Sequence, residues 1–440
     1  MKKTLTYLII LAGLISGCKK EDDPILGDPD KRLAEVLGNI QKDLLSSPGG
    51  WKANVFTGAN NGYSFYMQFT DKGRVTMTSD IDTVSAITPK ESSYRLKALQ
   101  RPTLIFDTYN YLHLLADPDP SKLGGTVGIG LISEYEFAWV ETKGDSMKVK
   151  GTFYDMPVTF VKATAAEQQL YAAGRIKTIM KLTSKYATDS KFLFVQLADN
   201  RKITIGVDSK TKRLTFSYVD DQQIVVTQSV GFSFTLKGIQ LAQPYGNATE
   251  SFSELLWDDV KGIYYVMVGT KRYEFQASTT PIIPLELTLG SGKANTILIY
   301  NPLTVPVNLN ADFNTRYNAA KTGLAAVGNA GRVLDYVQVM FNPANETVIR
   351  FYYRNTAGTA FQANFLYTMA KAANGDITFT FVSRDNNANV VGAGFVSITD
   401  YFTNNTFKMD WVSNPSSDLL LGGLYNKANP ASYYYGTLSK

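Results

Sequence analysis

The sequence predicts an α+β fold that is mainly antiparallel β, built as three tandem helix-plus-β-meander modules. Three stretches have apolar residues at helical spacing, and each is followed by a long run in which apolar and polar residues alternate. Each run also contains one tryptophan strand. The composition agrees, because 26 tyrosines, 24 phenylalanines and many Thr, Val and Ile residues in the alternating runs favour β-structure.

Three amphipathic helices are predicted, over DKRLAEVLGNIQKDLL, TAAEQQLYAAGRIKTIMKL and ADFNTRYNAAKTGLAAVG. The second begins with a capping box formed by Thr164 and Glu167, and Gly328 is a suitable stop for the third. The predicted apolar faces are Leu33, Leu37, Ile40 and Leu44 behind Asp30; Leu170, Ala173 and Met180; and Phe313, Tyr317, Ala320, Leu324 and Val327.

The strands after each helix follow a common order of strand, polar turn and strand. The turns are Asp71-Lys72-Gly73, Ser209-Lys210-Thr211 and Asn374-Gly375-Asp376. Trp139, Trp257 and Trp411 then stand at matching places, and each section closes with an aromatic strand. We expect these tryptophans to be core anchors, because large aromatic side chains dominate protein cores. Uneven section lengths argue against a closed propeller.

The domain organisation follows from this order. We predict a signal peptide at 1–17, a lipidated tether at 18–29 and modules at 30–163, 164–290 and 291–440. The first module carries an insertion between its hairpin and its tryptophan strand. Asp117-Pro118-Asp119-Pro120, followed by Gly124-Gly125, predicts an irregular loop there. Loops held by rigid sheets often carry function.

The N-terminus has the layout of a secretory signal, with Lys2 and Lys3 before an apolar run that is shorter than the roughly 20 residues a bilayer needs. Ile15-Ser16-Gly17-Cys18 resembles the lipobox of bacterial lipoproteins, which implies cleavage before Cys18 and lipidation of its sulfur. The alternative is an ordinary cleaved signal. Cys18 is the one cysteine, so the fold uses no disulfide. No later run of 18 apolar residues predicts a transmembrane helix.

The residues after Cys18 are a charged run, Lys19-Lys20-Glu21-Asp22-Asp23. A solvated tether is one interpretation. The run also resembles the surface-export signal of Bacteroidota lipoproteins, which implies a lipid-anchored protein on the outer face of the outer membrane.

Composition argues against several functional classes. The formal charge of +5 falls to +3 once the two lysines of the signal are removed, and the charges are scattered, so we expect no nucleic-acid partner. His113 is the only histidine, which with one cysteine is too few for a usual zinc site. Neither a nucleophile elbow nor a phosphate-binding glycine loop is present. We therefore expect no metal and no cofactor.

Catalysis by two carboxylates stays open as an alternative, because glycosidases need only such a pair. The candidates are Asp107, Glu134, Glu136, Asp258 and Asp259. A solvated strand face is the competing interpretation of Glu134 and Glu136, and we favour a protein without catalytic residues.

A ligand-binding surface is predicted in the insertion of the first module. Tyrosine rings stack on sugars or hold peptides, and carboxylates accept hydrogen bonds. A half-buried structural role is the competing interpretation of the histidine, and Asp117 and Asp119 also resemble weak calcium ligands without the spacing of an EF-hand. The candidate residues are Tyr109, Tyr111, His113, Asp117 and Asp119.

Two short patterns resemble Bacteroidota O-glycosylation sites. They place the modified hydroxyls at Thr83, in Asp82-Thr83-Val84, and at Ser146, in Asp145-Ser146-Met147.

The stretch ESSYRLKALQRPTLIFDTYNYLHLLADPDPS, with the lipobox, resembles Bacteroidota lipoproteins that carry domain of unknown function 4302. The resemblance is strongest from Trp51 to Ala163 and brings no catalytic residues. It implies a non-catalytic outer-membrane lipoprotein that assists binding or uptake of a polymer, either glycan or peptide. The implied partners are a TonB-dependent transporter and its substrate-capturing lipoprotein. The alternatives are a glycosidase-like hydrolase and a purely structural partner of a transporter.

Overall fold

The computed structural model describes residues 29–247, 250–288, 297–329, 331–342, 345–414 and 417–439. The predicted signal peptide and the lipidation site at Cys18 lie outside these ranges. The described fold is mixed, strand-rich and antiparallel, which confirms the predicted class at that level. Within the described residues, no helix combines the length and the apolar character needed to cross a bilayer.

The strands follow one another in sequence order in three closed eight-stranded barrels. The first contains β1 (Trp51–Phe56), β2 (Gly62–Phe69), β3 (Arg74–Ser79), β4 (Lys90–Ala98), β5 (Pro102–Phe106), β6 (Glu136–Lys143), β7 (Ser146–Gly151) and β8 (Pro157–Lys162). The second contains β9 (Phe192–Gln196), β10 (Lys202–Asp208), β11 (Arg213–Val219), β12 (Val225–Thr235), β13 (Gly238–Gly246), β14 (Ser251–Asp258), β15 (Ile263–Val268) and β16 (Lys271–Ser278). The third contains β17 (Ile297–Tyr300), β18 (Val333–Phe341), β19 (Glu346–Arg354), β20 (Ala360–Lys371), β21 (Ile377–Arg384), β22 (Thr406–Val412), β23 (Leu421–Asn426) and β24 (Tyr433–Ser439).

Closure was not predicted from the sequence. The last strand of each barrel pairs with its first, as where Trp51 lies opposite Lys162 and Ile297 opposite Ser439. Each meander therefore has no free edge, which removes the unpaired backbone groups that an open sheet exposes.

The helices are α1 (Pro29–Leu45), α2 (Tyr111–Leu115), α3 (Pro120–Leu123), α4 (Ala165–Ala172), α5 (Arg175–Asp189), α6 (Leu285–Thr288), α7 (Ala311–Ala326), α8 (Asn386–Val391) and α9 (Val396–Thr403).

The chain packs as two compact units. Of the described residues, the first unit contains those up to Ser184 together with Asp208–Arg213 and those within 230–259, and the second contains Lys185–Val207, Leu214–Ser229 and those from Val260 onward. Each unit has its own aromatic core. The first core includes Trp51, Phe65, Phe106, Phe137 and Phe160, and the second includes Tyr300, Phe313, Phe351, Phe395 and Tyr434.

Two of the three predicted helices are confirmed, and one is divided. Helix α1 buries Ile40 and Leu44, and α7 buries four of the five residues of its predicted face. The second predicted helix is divided into α4 and α5. Gly174, between them, has a φ of +74°, a left-handed conformation that favours glycine and ends a helix. Leu170 is consequently 43% exposed. Ala173 is exposed too, and the buried face belongs to α5, as Ile176, Ile179 and Thr183.

The order of elements in the third barrel differs from the prediction. Helix α7 follows the first strand of that barrel instead of preceding its sheet. The turn Asn374-Gly375-Asp376 joins the fourth and fifth strands, whereas the other two predicted turns join the second and third strands of their barrels. Local turn chemistry identifies a hairpin but not its place in a meander, which explains the difference.

The tryptophans lie on equivalent strands. Trp139, Trp257 and Trp411 are on β6, β14 and β22, the sixth strand of each barrel. All three are half-buried, and Trp139 and Trp411 pack at the margins of their cores. Trp51 is the fully buried tryptophan, and its Nε1 donates to the Leu44 carbonyl at 2.8 Å, joining β1 to α1.

A buried ion pair lies in the first unit. Lys212 and Asp80 have side chains 1% and 0% exposed, and Lys212 Nζ lies 3.0 Å from Asp80 Oδ2. The carboxylate also accepts the backbone N–H groups of Ser64 at 2.7 Å and Phe234 at 2.6 Å. Lys212 Nζ bonds the Asp80 carbonyl and lies 4.3 Å from the centroid of the Phe234 ring. Burial above all lowers the pKa of Lys212.

Candidate functional site

The insertion between β5 and β6 contains two short helices, and the second of them, α3, lies within the segment predicted to be an irregular loop. Asn110 caps α2 by accepting from Leu112 N at 2.8 Å, and His113 Nδ1 faces the Asn110 backbone N–H at 3.3 Å, which completes a capping box. Asp119 caps α3 by accepting from Ser121 N at 2.9 Å, with Pro120 as the first helical residue. Capping therefore orders part of the predicted loop.

An aromatic ledge lies on this insertion, defined as Tyr109, Tyr111, His113 and Tyr135. The His113 and Tyr135 rings are stacked with centroids 4.2 Å apart, and Tyr109 lies 5.6 Å from His113. Tyr109 is 46% and Tyr135 37% exposed. The ledge therefore presents apolar ring surface to solvent.

Polar contacts hold the ledge in place. Tyr111 donates its hydroxyl to the Thr88 carbonyl at 2.9 Å, and the Tyr109 hydroxyl donates to Asp117 Oδ2. Asp117 Oδ1 in turn accepts from Asp119 N at 2.9 Å. Lys90 Nζ lies 5.1 Å and 5.7 Å from the centroids of Tyr109 and Tyr111. The structure thus brings all five predicted ligand-binding residues into one connected group.

Sequence reasoning missed Tyr135 and Lys90 as members of this group. Tyr135 immediately precedes β6, and Lys90 begins β4. Both strands pair with β5, whose end leads into the insertion. The barrel order that makes them neighbours has no short-range signal in the sequence.

The protonation states of the ledge follow from its contacts. Burial, with the Asp117 carboxylate beside it, raises the pKa of Tyr109 to about 12. The Tyr109 hydroxyl and the Asp119 N–H lower the pKa of Asp117, and the Ser121 N–H lowers that of Asp119. Burial lowers the pKa of His113. At neutral pH the ledge therefore contains a neutral imidazole and a protonated Tyr109, and the two carboxylates beside it are ionised.

The carboxylates considered for calcium binding or for catalysis have structural hydrogen-bond partners. The Asp117 carboxylate accepts hydrogen bonds from the Tyr109 hydroxyl and Asp119 N, and the Asp119 carboxylate accepts from Ser121 N, so both order the insertion. Glu134 is 5% exposed, and its two oxygens accept the N–H groups of Phe153 at 2.6 Å and Tyr154 at 2.7 Å. Its carboxylate therefore holds the loop after β7. Among the described residues, no group of three or more His, Cys, Asp and Glu side chains is arranged to hold a metal ion.

Of the remaining candidate acids, Asp107 and Asp259 form ion pairs, Glu136 begins a strand and Asp258 ends β14. Asp107 accepts from Arg95 Nε at 2.8 Å, and Asp259 bonds Arg175 at 3.0 and 2.7 Å. Glu136 is half-buried as the first residue of β6. The predicted glycosylation residues are Thr83, in the β3–β4 connection, and Ser146, the first residue of β7. Both are half-buried.

Comparison with known proteins identifies the family to which this chain belongs. No curated protein matches the chain. Among solved structures, DNA polymerase III subunit beta from Borrelia burgdorferi, in complex with a natural product, aligns over 93% of this chain and 98% of its own, with 9% identity and a TM-score of 0.13, which is too low to indicate a shared fold. Residues 22–259, more than half of the chain, match the family described as Domain of unknown function (DUF4302). The chain therefore belongs to the DUF4302 family.

Proposed function

We propose that this protein is a non-catalytic, lipid-anchored binding protein of the bacterial outer membrane, which captures a polymer on its aromatic ledge. The occupant that we favour is a glycan, with a peptide as the second candidate. The observation that carries the proposal is the exposed ring surface of Tyr109 and Tyr135 beside the ionised Asp117 and Asp119. A sugar presents an apolar C–H face to such rings and hydroxyl donors to such carboxylates.

The contacts within the ledge support binding without a large rearrangement. His113 is held by the α2 capping box, and Tyr109 and Tyr111 each have a bonded hydroxyl. Rings that are already ordered lose little conformational freedom when a ligand binds, so more of the contact energy contributes to affinity. The ledge residues also fall within the part of the chain that defines the family.

The wider context is part of the same proposal. The lipobox-like Ile15-Ser16-Gly17-Cys18 and the acidic run after it support anchoring at Cys18 and display on the cell surface of a Bacteroidota host. A TonB-dependent transporter and its capture lipoprotein are the proposed partners. We also infer that the three barrels are diverged copies of one helix-plus-meander module, which is supported by the tryptophan on the sixth strand of each.

Binding to the ledge is testable with single substitutions. We expect Tyr109→Ala to weaken glycan binding roughly tenfold, which corresponds to about 1.4 kcal/mol, because tyrosine is one of the residues enriched at binding hot spots. Asp117→Asn tests the carboxylate separately. Binding is measured by affinity electrophoresis against a panel of soluble polysaccharides, followed by calorimetry with the strongest.

The matched control is Phe153→Ala, since Phe153 is an aromatic side chain that is 81% exposed and outside the ledge. Its affinity should equal that of the unmodified protein. Equal losses in Tyr109→Ala and Phe153→Ala would contradict a ledge-specific site. Failure of every polysaccharide and peptide to bind would favour the purely structural partner, and release of reducing ends would favour the hydrolase.

A further inference from the structure

A second candidate site is a cavity of about 210 Å³ inside the first compact unit. No ledge residue lines it. Its polar walls come from β1, from α4 and from the β12–β13–β14 region, and include Lys52, Asn54, Glu167, Tyr171, Lys237 and Glu254. A water requires roughly 10–15 Å³ of such space, so the cavity has room for roughly 14 to 21 waters or for a small ligand of similar volume.

One pair of charges in the cavity is already neutralised. Lys52 forms an ion pair with Glu167, and these side chains are 32% and 24% exposed. Glu167 Oε2 also accepts from Thr164 N at 2.9 Å in the capping box of α4. This pair therefore adds a fixed polar wall without a net charge.

A second pair of charges is open to a ligand. Lys237 lies in the turn before β13, and Glu254 lies on β14 opposite Gln240. Both side chains line the cavity and are exposed, yet neither forms an ion pair with any residue that the structure describes. A cation and a carboxylate thus face the same space without neutralising each other.

The cavity also holds a hydrogen-bond donor in a defined position. The Tyr171 ring stacks on Tyr66 with centroids 4.3 Å apart, and its hydroxyl has no hydrogen-bond partner among the described residues. Burial raises the pKa of Tyr171, so the hydroxyl stays protonated and can donate. A ligand with an acceptor group would satisfy it.

The buried ion pair of Asp80 and Lys212 holds two residues of the cavity wall in place. Ser64 and Phe234 line the cavity, and the carboxylate of Asp80 accepts both of their backbone N–H groups. Asp80 and Lys212 therefore act as positioning residues, and the walls are formed before a ligand arrives.

We propose that this cavity binds a small zwitterion, a free amino acid or short peptide, with its carboxylate at Lys237 and its ammonium group at Glu254. A simple anion would be repelled by the unpaired carboxylate of Glu254, whereas an uncharged sugar would form an ion pair with neither Lys237 nor Glu254. The inference does not depend on glycan binding at the ledge, because the two sites share no residue.

The test measures binding of dialanine, N-acetyl-dialanine and dialanine amide to the full mature chain. Calorimetry and ligand-observed NMR are the two readouts. We expect saturable binding of free dialanine, and at least tenfold weaker binding of N-acetyl-dialanine and of dialanine amide. Lys237→Met should weaken dialanine binding to a similar degree but should not weaken binding of the amide further, since the amide already lacks the carboxylate. Glu254→Gln should show the same relation with the N-acetyl form.

Controls separate this site from the ledge and from misfolding. Tyr171→Phe should weaken dialanine binding several-fold, whereas Phe153→Ala, at an exposed aromatic residue outside both sites, should leave it unchanged. Loss of dialanine binding in Tyr109→Ala would place the dipeptide at the ledge and overturn the proposal. Thermal melts check that the exposed Lys237 and Glu254 variants are folded. The proposal is overturned if free dialanine does not bind at about 10 mM, well above the affinity range of ordinary small-ligand sites. Equal binding of free and blocked dipeptides would overturn the proposal as well. So would a cavity that binds glucose but does not bind dialanine.

Discussion

At the scale of single residues, the buried pair of Asp80 and Lys212 is the contact with the largest predicted effect on stability. Both ions have left water, and the carboxylate accepts two backbone N–H groups in addition to the ammonium group. Such a pair can be close to neutral in net stability, but an unpaired ion at the same place is costly. Its main effect is therefore to penalise loss of either partner.

We expect Lys212→Met to destabilise the protein by about 3–5 kcal/mol, since it leaves Asp80 buried without its cation. Asp80→Asn should have a comparable effect, and the double variant should recover part of the loss. The midpoint of urea unfolding at neutral pH measures this. Lys148→Met is the matched control, because Lys148 and Glu141 form an exposed pair, and solvent screens such pairs so that they contribute little to stability. Equal shifts for Lys212→Met and Lys148→Met would contradict the assignment.

At the scale of elements, the start of α4 shows how local chemistry determines a boundary. Thr164 Oγ1 accepts from Glu167 N at 3.2 Å, and Glu167 Oε2 accepts from Thr164 N at 2.9 Å. This capping box was predicted from four consecutive residues. The end of the same helix was not predicted, because glycine inside a periodic pattern is compatible with both a continuous helix and a stop.

Removal of the cap should destabilise this element measurably. We expect Thr164→Ala to cost about 1 kcal/mol, because the first turn of α4 loses an acceptor for one of its free N–H groups. Thr164→Ser keeps the hydroxyl and should be close to neutral. Thermal melting compares the two variants, and amide hydrogen exchange of the first turn of α4 localises the change. A serine variant as unstable as the alanine variant would show that packing of the threonine methyl group matters more than the cap.

At the scale of the whole molecule, the proposed attachment to a membrane depends on Cys18. Expressed in a bacterium with lipoprotein-processing enzymes, the full chain should yield a product that begins at Cys18 and has the added mass of acyl chains. That product should partition into detergent, because each buried methylene contributes about 0.8 kcal/mol to anchoring. Cys18→Ser should yield a product without added mass in the aqueous phase. An unmodified chain that begins elsewhere would leave an ordinary secretion signal as the explanation.

The part of the site that sequence reasoning found and the part that it missed differ in sequence distance. Tyr109, Tyr111, His113, Asp117 and Asp119 lie within eleven consecutive positions, so composition and turn signals identified them together. The stacking of His113 on Tyr135, by contrast, depends on which strand lies beside β5. The cavity was missed altogether, since its walls come from segments that are far apart in the chain.

The sequence by itself determined the features that arise within a few residues. These are the strand-rich antiparallel class, the helices α1 and α7, the Thr164 capping box and the polar hairpin turns. Each depends on spacing, capping or turn chemistry that acts over one or two turns of chain. Only the tertiary structure decided that the meanders close into barrels, that Gly174 divides a helix and that Asp80 meets Lys212 across 132 positions. Strand closure and ion pairing depend on which distant segments become neighbours, and alternating hydrophobic patterns do not specify that choice.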